Sequence, residues 1–131
     1  MGLDNYISVK RTTHSNKIQE LKRFEDDWDK EHKYDFDVCY WRKCWNARGA
    51  IIGSIDGGFY DNGITPLTKD DVKRIIVALK EFNEDNWDDG LGSIWTWEEH
   101  EPHMQQNIEN LEYLLTLMDK YDLEVEFVDS Y

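Results

Sequence analysis

Leu111-Glu112-Tyr113-Leu114-Leu115-Thr116-Leu117-Met118-Asp119-Lys120-Tyr121-Asp122-Leu123-Glu124-Val125-Glu126-Phe127-Val128 changes its period part-way along. Upstream of Lys120 the apolar residues recur at helical spacing: Met104, Ile108, Leu111, Leu114, Leu115 and Met118 share one face. Downstream, Leu123, Val125 and Phe127 alternate with Glu124, Glu126 and Val128, the period of a strand with one buried face. A helix that feeds directly into a strand gives a mixed fold. The same period of two appears at the other end of the chain, where Leu3, Asn5, Ile7 and Val9 alternate with Asp4, Tyr6, Ser8 and Lys10. The two terminal strands are expected to lie near one another in a small antiparallel sheet.

Between them the clearest element follows Thr68. Thr68 is a good N-cap, Asp71 stands where a capping box wants an acid, and Val72, Ile75, Ile76, Leu79 and Phe82 form an apolar stripe. This helix is expected to end near Glu84. Pro102 fits the first turn of the last helix, where its missing N–H is no loss. Val38 to Arg48 reads as a helix capped by Asp37, with Trp41, Cys44, Trp45, Arg48, Ile51 and Ile52 on one face. Residues 15–33, with Ile18, Leu21, Phe24 and Trp28 at spacings of three and four, read as a short amphipathic helix or a flap. Ser54 to Gly63 is turn-rich and has room for a short strand or hairpin, and Ile94 to Trp97 reads as another short strand. The expected architecture is α+β: one domain over residues 1–131, a small antiparallel sheet that includes both terminal strands, and about three helices packed on it.

Charge is distributed one-sidedly. The net charge is −13, yet residues 1–60 carry ten acids and ten bases. The 18 acids and five bases of residues 61–131 supply the whole imbalance, and from Glu81 onward Lys120 is the one base. Direct nucleic-acid binding is disfavoured, because phosphate neutralisation needs clustered Lys and Arg. No apolar run is long enough to span a bilayer. The start Met1 to Tyr6 lacks the basic and apolar regions of a signal peptide, and Tyr6 stands where a myristoylation motif wants Ser or Thr. Cytoplasmic residence is the expectation, with Cys39 and Cys44 as reduced thiols; five residues apart on a helix they would point away from each other.

His100 and His103, at i and i+3, could share a metal, but no third ligand accompanies them. Asp85 to Gly90 is loosely like a calcium loop, but Trp87 stands at the third ligand position and Thr96 replaces the final Glu, so the match fails at two essential places. No metal or other cofactor is implied. Phosphate loops, nucleophile elbows and dinucleotide fingerprints are missing, so the chain is not expected to be an enzyme. On the helical reading, Arg42, Asn46, Gly49 and Gly53 make a polar stripe beside the tryptophans. Arg offers a fork of donors, Asn a donor and an acceptor, and Gly close approach. The candidate binding residues are Tyr40, Trp41, Arg42, Lys43, Asn46, Arg48, Trp95 and Trp97; Glu98, Glu99 and Glu101 form a candidate acidic surface.

The start Met1-Gly2-Leu3-Asp4, with Tyr40-Trp41-Arg42-Lys43 and Asn46, resembles a family of short phage and prophage proteins that begin Met-Gly-Leu-Asp and carry a Tyr-Trp-Arg-Lys motif with a nearby Asn. The specific part is Tyr40 to Asn46, where Cys44 and Trp45 replace the usual Ala-Asn. The resemblance implies a phage or prophage origin and action inside a host cell, and no particular chemistry. Two functional expectations result. One is a non-enzymatic accessory protein that inhibits or modulates a host protein, such as a nucleic-acid-handling or defence factor, through its acidic surface. The other is a protein that binds or sequesters a nucleotide-like anion on the Trp41, Arg42 and Asn46 segment.

Overall fold

The computed structural model describes residues 4–25, 27–32, 34–56, 63–88 and 95–130. Four strands, β1 (Asp4–Val9), β2 (Phe36–Arg42), β3 (Ile64–Leu67) and β4 (Val125–Ser130), form one antiparallel sheet in the order β2-β1-β4-β3. The helices are α1 (Asp27–His32), α2 (Trp45–Ser54), α3 (Lys69–Lys80) and α4 (Trp97–Lys120). The fold is α+β as expected, and the terminal strands are direct neighbours, Ile7 standing opposite Phe127.

The inward side chains of the sheet, among them Ile7, Val9, Phe36, Trp41, Val125 and Phe127, join Val72, Ile75 and Leu79 of α3 and Met104, Leu111, Leu114 and Leu117 of α4 in one core. Residues 15–24 hold two 3-10 turns rather than one amphipathic helix, and Leu21 and Phe24 enter the core from them. The opposite side of the sheet carries Tyr40, Tyr6, Val128 and Ile64 in a single cross-strand row.

Residues 38–48 are not one helix. Phe36 to Arg42 is the edge strand β2, Cys44 is the N-cap of α2, and Asp37 caps nothing: it accepts a hydrogen bond from Ser8 Oγ at 2.7 Å. The register against β1 slips by one residue between Ile7 and Ser8, which leaves Val38 without a counterpart. This bulge reverses the alternation, so Phe36, Val38, Cys39 and Trp41 all face inward, and a run interrupted in that way imitates helical spacing. The connection to α2 turns at Lys43, whose φ of 49° is left-handed.

The capping box of α3 is present, Asp71 N donating to Thr68 Oγ1 and Thr68 N to the Asp71 carboxylate. Its helix stops at Lys80 rather than near Glu84, because Asn83 and Asn86 take over the backbone: Asn83 Oδ1 accepts from the amides of Asp85 and Asn86, and Asn86 Nδ2 donates to the Glu81 carbonyl. A second box, Thr96 with Glu99, starts α4 at Trp97. Trp95 to Trp97 is therefore no strand, and Ile94 lies outside the described residues. Pro102 sits inside α4 rather than in its first turn, so Glu98 loses the amide that would normally donate to its carbonyl. In the Ser54 to Gly63 stretch, Ser54 ends α2, residues 57–62 lie outside the described residues, and the strand begins only at Ile64.

Candidate functional site

The edge of β2 meets the first turns of α4. An uncovered edge strand exposes backbone carbonyls, and α4 satisfies two of them with side chains. His103 Nε2 donates to the Tyr40 carbonyl at 2.9 Å, and Asn110 Nδ2 donates to the Val38 carbonyl at 3.1 Å. Between them the Cys39 thiol donates to the Asn107 carbonyl at 3.6 Å. His100, His103, Asn107 and Asn110 thus form a polar stripe at helical spacing, turned to the strand.

Above this seam lies a cleft of about 360 Å³ lined by Tyr40, Trp41, Arg42, Trp95, Glu99, His100 and His103. Its inner wall is buried: Trp41 is 1% exposed and His100 4%. Trp41 Nε1 and His100 Nε2 are both buried, and neither has a hydrogen-bond partner among the described residues. The His100 ring stacks on Trp87 at 4.8 Å and meets His103 edge-on at 5.3 Å. Burial, and then the charge of His103, push its pKa down to about 4, so His100 is neutral at physiological pH. The rim is exposed. Tyr40 stacks on Tyr6 at 4.9 Å and donates its hydroxyl to Asp4 Oδ1 at 2.8 Å; burial and that acceptor push its pKa up to about 12. Arg42 belongs to no salt bridge among the described residues, whereas the Glu99 carboxylate takes the Thr96 amide and hydroxyl, and these bonds hold its pKa low.

Four expected site residues, Tyr40, Trp41, Arg42 and Trp95, therefore converge, joined by Glu99 of the expected acidic surface. The others do not. Lys43 serves the turn after β2. Asn46 is a clamp: its Nδ2 donates to the Asp88 carbonyl at 2.8 Å, and its Oδ1 accepts the Asp88 amide at 3.3 Å. Arg48 makes a two-pronged ion pair with Asp129 at 2.9 and 2.8 Å, and Asn5 Nδ2 donates to the same carboxylate at 2.7 Å. Trp45, expected inside, is 46% exposed and lies against the Arg48 guanidinium. The stripe of Arg42, Asn46, Gly49 and Gly53 breaks because Arg42 is on a strand and Asn46 on a helix.

A second cleft of about 400 Å³ is lined by Glu84, Trp87, Thr96, Trp97, Glu98 and Glu101. Trp97 packs on Trp87, whose Nε1 donates to the Trp95 carbonyl at 3.0 Å, so a single indole braces both clefts. No cluster of His, Cys, Asp or Glu suited to a metal occurs among the described residues, and no helix among them is long and apolar enough to cross a membrane. Cys39 and Cys44 are buried free thiols, and burial raises the Cys39 pKa well above its ordinary value, which removes it as a nucleophile.

His100, His103 and Trp87 belong to the site beyond the expected residues; in sequence His100 and His103 read only as a metal pair. The signal was there. Thr96-x-x-Glu99 is a capping box, and a helix begun at Trp97 puts His100, His103, Asn107 and Asn110 on one face. Compared with known proteins, the chain matches no family model, no curated protein and no solved structure.

Proposed function

We propose that this protein binds a small planar ligand with an anionic group, of the nucleotide kind, in the cleft between β2 and α4. The observation that carries the reading is the cleft of about 360 Å³ in which exposed aromatic rings meet a guanidinium. In it stand two partly exposed rings, Tyr40 and Trp95, and Arg42, which belongs to no salt bridge among the described residues. That set suits stacking plus one anionic contact. The reading is non-catalytic and involves no cofactor. Tryptophan fluorescence during titration with nucleoside monophosphates tests it: saturable quenching is expected, weakened by Arg42→Ala, and unaltered fluorescence up to millimolar ligand would refute it.

A second reading rests on the other cleft. Glu84, Glu98 and Glu101 line it, and no base accompanies them there among the described residues. This supports contact with a basic host protein, in keeping with a phage-type accessory protein that acts in the host cytoplasm. Reversing Glu98 and Glu101 to Lys should slow association, and affinity should fall steeply with salt. A complex indifferent to salt would count against it.

A further inference from the structure

The second cleft, between the turn after α3 and the first turns of α4, combines an indole with carboxylates. Trp97, Glu98 and Glu101, spaced by three and four, share one face of the helix start, and Glu84 comes from the turn. Trp97 packs on Trp87 at 5.4 Å and keeps part of its surface exposed. Glu84, Glu98 and Glu101 are all exposed, and none of their carboxylates has an ion pair or a hydrogen bond among the described residues. Thr96 and Glu99 already engage each other's amides, so the carboxylates set the sign of this cleft. Like charges gathered around one space repel, and a bound cation relieves the repulsion.

The geometry excludes a point charge. No group of three His, Cys, Asp or Glu among the described residues closes on a metal ion, so these carboxylates are spread along the cleft. A guanidinium can span them: it is planar, carries five N–H donors and lies flat on an aromatic ring. The protein makes the same arrangement from its own residues. Arg48 lies 5.3 Å from the Trp45 ring while forking onto Asp129, and Arg11 lies 4.2 Å from the Phe36 ring while pairing with Glu25. In the cleft an indole and three carboxylates come together with no arginine beside them among the described residues.

We propose that this cleft seats an arginine side chain of a basic protein partner, its guanidinium stacked on Trp97 and donating to Glu98 and Glu101, with Glu84 as a third acceptor. This rests on the reading of the cleft as a contact for a basic host protein, and it names the group that the contact takes. Lysine fits less well. Its ammonium is compact and strongly hydrated, and it cannot both lie on the indole and reach separated carboxylates.

The test titrates the full chain, at physiological salt, with three capped tripeptides, acetyl-Gly-Xaa-Gly-amide, in which Xaa is arginine, lysine or the neutral isostere citrulline. Calcium chloride serves as a point cation. Amide and indole N–H chemical shifts report binding, and thermal melts report folding of the variants. The arginine peptide should shift the Trp97 indole and the Glu98 and Glu101 amides saturably. The lysine peptide should bind at least about threefold more weakly, and citrulline and calcium should leave these signals unmoved. Glu98→Gln and Glu101→Gln should each weaken arginine binding about threefold, as expected for one exposed charged contact, without lowering the melting temperature. Trp97→Leu should weaken it further; should that variant unfold, the glutamine variants and the peptide comparison still decide. Equal binding of the arginine and lysine peptides would overturn the guanidinium seat and leave the contact with a basic partner standing. Calcium shifting the same signals, or arginine shifts centred on Tyr40 and Glu99 instead, would also overturn it. Citrulline binding as well as arginine, or no binding by any peptide, would refute both the seat and the basic-partner reading of this cleft.

Discussion

Two ionisable side chains with opposite roles show how burial decides what a residue does. Arg48 and Asp129 hold α2 to the end of β4, and the Asp129 side chain is only 4% exposed. Removing Arg48 would strand that carboxylate beside Asn5. Arg48→Ala is therefore expected to cost about 3 kcal/mol, the usual range for breaking a buried pair, and denaturant unfolding measures it. His100 acts in the other direction. Its folded pKa of about 4 lies below the ordinary 6.5, so the unfolded chain binds the proton more readily. Stability should be complete above pH 6.5 and fall as pH drops toward 4. His100→Phe should flatten the upper part of that profile, between pH 6.5 and 5, above the range of ordinary carboxylates. Unfolding midpoints of both proteins across that range decide it; parallel curves would show that His100 is not buried neutral.

At the scale of elements, the start of α4 positions the cleft. Thr96 and Glu99 satisfy each other's backbone amides, and the helix so begun puts His100 against Trp87 and His103 against the Tyr40 carbonyl. Thr96→Ala removes one cap acceptor and should cost about 1 kcal/mol. It should also loosen the cleft, seen as faster amide exchange at residues 97–100 while β1 and β4 stay protected. Equal loosening throughout would mean that the cap supports the whole fold instead. The edge strand depends on the same helix, because His103 and Asn110 occupy carbonyls of β2 that another chain could otherwise pair with.

For the molecule as a whole, charge sets the choice of partner. A net −13, with Lys120 the one base after Lys80, leaves little to neutralise phosphate. Lys120 is itself placed against Glu20, and Lys69 and Lys80 against Asp119 and Glu112. Fluorescence anisotropy with duplex DNA at physiological salt should show no submicromolar binding. Added salt should instead raise the melting temperature modestly by screening self-repulsion. Tight, salt-sensitive DNA binding would show that the arginines of the first half form a continuous basic track.

Helices α3 and α4 and the two terminal strands were legible locally, because each keeps one unbroken period and each buried face is visible from neighbours three, four or two residues away. Thr68 and Asp71 marked a helix start for the same local reason. Strands β2 and β3 and the cleft depend instead on long-range contacts. A bulge at Val38 breaks the period of β2, and that bulge is defined by register against β1, 29 residues away at Ser8 and Asp37. Strand β3 is four residues long and contains Pro66, a composition tolerated because it lies at the sheet edge. Tyr40, Trp41, Arg42 and Trp95 were legible as candidates from residue type. Their meeting with His100, and the removal of Asn46 and Arg48 into structural clamps, depend on long-range packing that no local spacing encodes.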